Sequence, residues 1–323
     1  MKRIHPWGDD RPIYSYAAYC RERFGEKVRK IAIDAGFSCP NRDGTIGSEG
    51  CAFCDNRAFT PSYCSPRKSI TEQIDEGIRF NTVRGKDEGI RLAYFQSYSN
   101  TYGPIDRLRA CYTEALAHPR ISGLIVGTRP DCVDERKLDL LASLAESHYL
   151  SVEYGIESTF DETLRAVRRG HDFETARRAV EQSAARGLHV GAHFILGLPG
   201  EDDRMLIEQT DRINALPIAS VKFHQLQLIE GTALAREYDV CPERFTLRSV
   251  DEYLDLVVEI LRRLRPDIVV ERIVSEVPAR YHHLTPWERT RGTTLWALLE
   301  KRMIGRNVFQ GEKNCTFAPL KRL

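Results

Sequence analysis

Three cysteines in one glycine-rich stretch constrain this chain more than any other feature. Cys39, Cys51 and Cys54 stand in CPNRDGTIGSEGCAFC, a C-x11-C-x2-C array that directly follows the apolar run Lys30–Asp34. The glycines and polar residues between them describe a loop, not a helix. A loop is what three thiolates need to curl round one inorganic centre while backbone N–H groups face its sulfurs. Three protein ligands suit an iron–sulfur cluster with one iron left open. With Cys64 as a fourth thiolate, the same stretch suits a closed structural zinc site.

Such a loop needs a rigid scaffold, and the rest of the chain supplies one by pattern. Apolar runs predict strands at Lys30–Asp34, Ile90–Gln96, Gly123–Thr128, Leu150–Ile156, His189–Leu196 and Val221–Leu228. Between them, spacings of three and four predict helices at Ser69–Thr82, Ile105–Ala117, Glu135–Ser147, Phe173–Arg186 and Asp202–Ala215. Alternating βα units predict an α/β fold, a partial (β/α)6 barrel whose strand ends share one rim. Residues 1–27 read as an N-terminal extension and 28–235 as the barrel. Residues 236–323 read as a C-terminal extension packed on it, with a helix near Ser249–Leu264, an apolar run Ile268–Val270 and a helix near Thr293–Met303.

Composition excludes some classes. The 323 residues carry 47 Lys and Arg against 46 Asp and Glu, a net charge of +1, so no global field demands a polyanionic partner. The start, MKRIHPWGDD, lacks the apolar run of a secretory signal, and no later stretch reaches the roughly 18 apolar residues of a membrane span. A cytoplasmic protein with no membrane partner is expected. Nine cysteines there point to metal or catalysis rather than disulfides. Cys20, Cys111, Cys132, Cys241 and Cys315 are scattered singly and suggest no second cluster.

Seven ordered segments, FSCPNRDGTIGSEGCAFC, YFQSYSNTY, GTRPD, EYGIES, RRGHDF, GAHFILGLPGED and KFHQLQLIEGT, resemble the radical S-adenosylmethionine (SAM) superfamily. The likeness is to its branch similar to the catalytic subunit of Elongator, and to the small stand-alone bacterial YhcC/YtqA-like group. It implies a TIM-like partial barrel, a [4Fe-4S] cluster on Cys39, Cys51 and Cys54, SAM as second cofactor, and an external one-electron reductant of flavodoxin or ferredoxin type. Phe53 matches a position that packs near the adenine; Glu157 and Ser158 match the ribose site; Ile195, Gly197 and Gly200 match the adenine end. Where the superfamily carries Gly-Gly-Glu, this chain has Gln96-Ser97-Tyr98-Ser99-Asn100-Thr101, so Gln96, Ser97, Tyr98 and Asn100 are carried over as the same site. A further departure is ERIVSEVP near the C-terminus, where relatives resemble a Gly-Asp turn followed by Ala-Pro.

The rim residues carry chemistry of their own. Glu153, Gly155 and Glu157 share one face by the period of two, and inward carboxylates need partners. Arg129, in GTRPD, is the expected partner and could equally clamp a carboxylate of the cofactor or substrate. His171, His193, His224, Gln225 and Gln227 are available for substrate contact or proton transfer; Glu153, Arg129 and His224 are the catalytic candidates.

The Elongator-like branch is associated with wobble-uridine modification, which makes tRNA the expected substrate. From Arg280 to Leu323, nine Lys or Arg stand against three Glu, an excess suited to phosphates. Acetyl transfer is not expected, because residues 236–323 are too few for an acetyltransferase domain. A small-molecule radical enzyme is the second reading, and a zinc-stabilised RNA-binding module the third.

Overall fold

A computed structural model describes residues 4–85, 88–284, 287 and 290–314. Seven parallel strands pair in sequential order: β1 (Val28–Ile33), β2 (Ile90–Phe95), β3 (Gly123–Thr128), β4 (Tyr149–Glu157), β5 (His189–Leu196), β6 (Ser220–Gln225) and β7 (Val269–Arg272). Helix α1 (Tyr16–Phe24) precedes them. Between strands run α2 (Ile70–Val83), α3 (Ile105–Ala117), α4 (Glu135–Ala145), α5 (Asp161–Ala166), α6 (Phe173–Ala185), α7 (Asp203–Ala215), α8 (Ala233–Val240) and α9 (Val250–Arg263), and α10 (Gly292–Gly305) follows. This is the curled α/β half-barrel expected from the βα alternation.

Local chemistry sets the helix starts. Ser69 with Glu72, and Ser249 with Glu252, form reciprocal capping boxes on α2 and α9. Asp134, Asp172 and Asp202 cap α4, α6 and α7 through their side chains. Along α2 the stripe Ile70, Ile74 and Ile78 enters the same core as Ile31 and Ile33 of β1. Gly77 permits that approach, because a Cβ there would stand 2.6 Å from a methyl of Ile31.

The structure corrects the sequence reading in three places. Among the described residues there are seven strands, not six: the run Ile268–Val270 supplies β7, which continues the sheet through Ser220↔Val269 and Val221↔Val270. Only four residues long, β7 is too short for its periodicity to mark it. The sixth strand ends at Gln225, and residues 226–228 leave the sheet. The alternation along β4 also breaks, with a register shift between Gly155 and Glu157 and a left-handed φ of 75° at Glu157.

The N-terminal segment covers the sheet's far edge. Ser15 bridges Val270 in parallel, and the Val270 amide donates to the Tyr14 carbonyl at 2.8 Å. An exposed strand edge is thereby paired. Across the gap, Lys30 of β1 meets Glu271 of β7 at 2.6 Å. Among the described residues, no helix is long and apolar enough to cross a membrane.

Candidate active site

The cysteine loop folds on its own carbonyls. Cys39 O accepts from the amides of Arg42 and Asp43, Pro40 O from Ile46 and Gly47, and Asn41 O from Gly50. Ala52 N–H donates to Val167 O at 2.9 Å, tying the loop to the turn after α5. Asn41 reaches the same turn, its amide donating to Arg168 O (2.8 Å), Arg169 O (3.1 Å) and the Cys51 sulfur (3.2 Å).

Cys39, Cys51 and Cys54 line one cavity of about 220 Å³ at the C-terminal ends of the strands. Cys51 is ringed by nitrogen donors: besides Asn41, Arg169 Nη1 lies at 3.4 Å and Arg129 Nη1 at 3.8 Å. N–H donors of this kind are the contacts a metal-bound sulfur accepts. For Cys54, burial and then the neighbouring Cys51 push the thiol up to about 11, so a free thiol there keeps its proton until a metal displaces it. Three thiols on one cavity, with N–H donors aimed at sulfur, fit an iron–sulfur cluster. Cys64, the fourth ligand of the zinc alternative, instead donates to Ala32 O at 3.2 Å and does not line the cavity.

Of the other residues singled out in the sequence, Phe53, Gln96, Tyr98, Arg129, Glu153, Glu157, Ile195, His193, His224, Gln225 and Gln227 line this cavity. Phe53 and Ile195 pack against one apolar cluster built on Ala52, Leu198, Leu226 and Leu228. Five candidates stand behind the lining. Asn100 donates to Phe95 O and Gly127 O, tying the ends of β2 and β3 together. Ser97 shares a hydrogen bond with Thr60, and Ser158 donates to Glu201, whose carboxyl burial pushes up to about 7. Gly197 faces Arg248, and Gly200 precedes α7 in open space. His171 lies outside the lining; its Nδ1 faces Asp172 O.

The partners of the inward carboxylates differ from expectation. Arg129 is engaged by Asp131 in a fork of 2.9 and 2.7 Å, so it is not the counter-ion of Glu153 or Glu157. Glu157 pairs with Arg169 at 3.7 Å. Gly155 makes room for both, since a Cβ there would stand 2.5 Å from the Glu157 carboxylate and 2.9 Å from Arg169. Burial raises the Glu157 carboxyl, with Arg169, then Arg129 and Arg272, offsetting part of the rise.

Below it, Glu153 meets Lys222 and Lys30 (3.1 Å), and Glu271 meets the same two lysines at 2.9 and 2.6 Å. Burial opposes the charge on Glu153, yet the two lysines win and hold it well below the ordinary carboxylate range. His193 and His224 sit above this quartet, 5.3 Å apart. Burial, and then Lys222, push His193 down to about 4; burial and then Arg272 push His224 well below its usual value.

Asn41, Arg169, Lys222 and Arg272 were not singled out from the sequence. Asn41 lies two residues after Cys39, and Arg169 lies inside RRGHDF, where a double Arg reads as a solvated helix end. Lys222 shares the period-two face of His224, a signal that was available. Arg272 lies on the strand that periodicity missed.

Comparisons with known proteins speak to family and fold. A profile described as "Radical SAM superfamily" matches residues 42–212, and "Radical_SAM C-terminal domain" matches residues 218–303. The chain is 34% identical over 296 residues to "Uncharacterized protein YtqA" of Bacillus subtilis (strain 168), covering 91% of this chain and 90% of that protein. It is 31% identical over 122 residues to the "tRNA uridine(34) acetyltransferase" of Methanocaldococcus infernus, covering 36% of this chain and 22% of that protein. The solved structure of the archaeal Methanocaldococcus infernus Elp3 with an N-terminal deletion superposes with a TM-score of 0.65 at 18% identity, covering 88% of this chain and 64% of that one, which speaks to fold.

Proposed function

The chain belongs to the radical SAM superfamily, and from that premise we propose that it modifies tRNA, at the wobble uridine, in the cavity at the strand ends. The observation that carries the tRNA reading is the sequence likeness to the tRNA uridine(34) acetyltransferase. When bound, a [4Fe-4S] cluster and SAM supply a 5′-deoxyadenosyl radical that abstracts a hydrogen atom from substrate carbon.

In this reading Cys39, Cys51 and Cys54 hold the cluster, and Asn41, Arg129 and Arg169 orient and polarise the Cys51 sulfur. Glu157 accepts from the ribose hydroxyls, and Phe53 with Ile195 forms the apolar wall for the adenine. Gln96 and Tyr98 border the same space; Ser97, Asn100, Ser158, Gly197 and Gly200 shape it from behind. Glu153 belongs to the ionic quartet, which leaves His224, of the three catalytic candidates, as a neutral imidazole facing the cavity beside His193. The electron comes from a one-electron carrier of flavodoxin or ferredoxin type.

The C-terminal basic surface carries less than its sequence promised. Arg302 pairs with Asp251 and Asp255, Arg306 with Asp255, and Lys313 with Glu259. Arg289, Lys321 and Arg322, with Cys315, lie outside the described residues.

The test follows hydrogen. Reduced, reconstituted enzyme is incubated with SAM and either deuterated bulk tRNA or a deuterated metabolite extract, and label in 5′-deoxyadenosine is measured. Transfer from tRNA is expected. Transfer from the extract and none from tRNA overturns the tRNA reading in favour of a small-molecule substrate.

A further inference from the structure

Arg272 ends β7 and lines the same cavity as the three cysteines. Its Nε is buried with no hydrogen-bond partner, and among the described residues no carboxylate pairs with it. The other guanidiniums of the cavity are engaged: Arg129 by Asp131, Arg169 by Glu157 and Gly155 O, and Arg42 by the Cys54 carbonyl at 2.6 Å.

The carboxylate that feels the Arg272 charge, Glu157, is ion-paired to Arg169 and not to Arg272. Lys30 and Lys222 are balanced by Glu153 and Glu271 in the closed quartet below. His193 and His224 are neutral near pH 7, since burial holds both below their usual range. Arg272 therefore stands in the cavity wall with, among the described residues, no carboxylate in ion-pair contact. The side chain is half-buried with its Nε shielded and unpartnered, so a ligand oxygen would satisfy a donor that the fold leaves open. A planar guanidinium in such a place matches carboxylate or phosphate oxygens in a fork.

Its position separates it from the cluster side. Arg129 and Arg169 stand beside Cys51, whereas the β6–β7 side carries Gln225, Gln227 and Ser275. There the cavity abuts a second one of about 670 Å³ that shares these three residues. Gln225 and Gln227 both donate to Ser275 O, at 3.1 and 2.9 Å, and the Gln227 Oε1 is buried without a partner. Polar atoms left open at this junction suit a ligand entering from the second cavity.

We infer that Arg272 is the anion-recognition residue of the substrate subsite, gripping a carboxylate or phosphate group carried by the substrate and not the carboxylate of SAM. The inference rests on the reading of this cavity as the place where cofactor and substrate meet.

The probes are acetate and inorganic phosphate, added to cluster-reconstituted enzyme saturated with SAM, against sodium chloride at equal ionic strength. In the wild type, one of the two should raise the thermal midpoint, and which one does so identifies carboxylate or phosphate. Arg272→Gln should abolish the rise, Arg272→Lys should keep part of it, and SAM affinity by equilibrium dialysis should change less than about twofold in either. No anion-specific rise in the wild type, or an equal rise in Arg272→Gln, overturns the inference. So does a loss of SAM affinity of about tenfold or more, which assigns Arg272 to the cofactor carboxylate. Should Arg272→Gln fail to fold, Arg272→Lys decides: a weakened response supports the inference and an unchanged one overturns it. Anion binding at Arg272 without label transfer from tRNA would remove the tRNA reading and leave the subsite standing.

Discussion

Arg169 holds Cys51 and Glu157 at once, with Nη1 at 3.4 Å from the sulfur and Nη2 at 3.7 Å from the carboxylate. A cation beside a cluster sulfur stabilises the more negative, reduced state. Arg169→Met should therefore bind iron yet shift the cluster midpoint to more negative potential, by on the order of 50 mV, about one charge-assisted hydrogen bond shared unequally between redox states. A redox titration followed by electron paramagnetic resonance checks this. An unmoved potential would reduce Arg169 to a structural tie.

The cavity separates ligand thiols from bystanders. Cys39→Ala, Cys51→Ala and Cys54→Ala should each lose the cluster on anaerobic reconstitution. Cys64→Ala should retain it, because its sulfur is spent on Ala32 O. Iron content and visible absorbance report the result; retention in any of the first three would refute the ligand set.

Glu157 is the group proposed for the ribose. Glu157→Gln keeps the shape and removes the charge, and should weaken SAM binding by about 1–3 kcal/mol, the worth of hydrogen bonds to a charged group. Equilibrium dialysis measures it, with iron content as the control. Unchanged affinity would confine Glu157 to its ion pair with Arg169.

How far the sequence could be read depends on the range of the interaction. The cysteine spacing and the βα alternation are local patterns, and they led to the cluster loop and six of the strands. β7 was missed because a run as short as Val269–Arg272 has no period to detect, and Arg272 was read only as part of ERIVSEVP, where the chain departs from its relatives. Partner choice was illegible for a different reason. Arg129 directly follows β3 and Glu153 lies on the neighbouring β4, yet Asp131, two residues away, captures Arg129, while Lys30 and Lys222 reach Glu153 from β1 and β6. Glu157 escaped the period of two because the strand bulges at its end.

The quartet makes a prediction of its own. Removing one member leaves one excess charge in the quartet, partly met by the partner that remains, so Glu153→Gln or Lys222→Met alone should destabilise by up to about 3–5 kcal/mol. Combining them removes both charges, and the double variant should lose clearly less than the sum of the singles. Urea unfolding of the four proteins decides it. Additive losses would mean that the two side chains do not act as a pair.

Acid should weaken the fold in two stages whose order follows from the shifts. His193 drops from 6.5 to about 4 in the folded state, burial first and Lys222 second, and His224 falls well below the same starting value. Between about pH 6.5 and 4 the unfolded chain binds protons that the folded chain refuses, so stability falls with pH, by up to about 1.4 kcal/mol per pH unit for each such histidine. Glu153 behaves in the opposite sense chemically but with the same outcome. Its folded value lies below the ordinary 4.5, so its contribution is intact above that pH and is lost only as pH falls further. The histidines therefore act first. Urea unfolding at pH 7.5 and 5.5 should show a marked loss in the wild type and a smaller one in His193→Gln and His224→Gln. If both variants lose as much as the wild type, the imidazoles are not held neutral and the charge balance around Arg272 has to be drawn again.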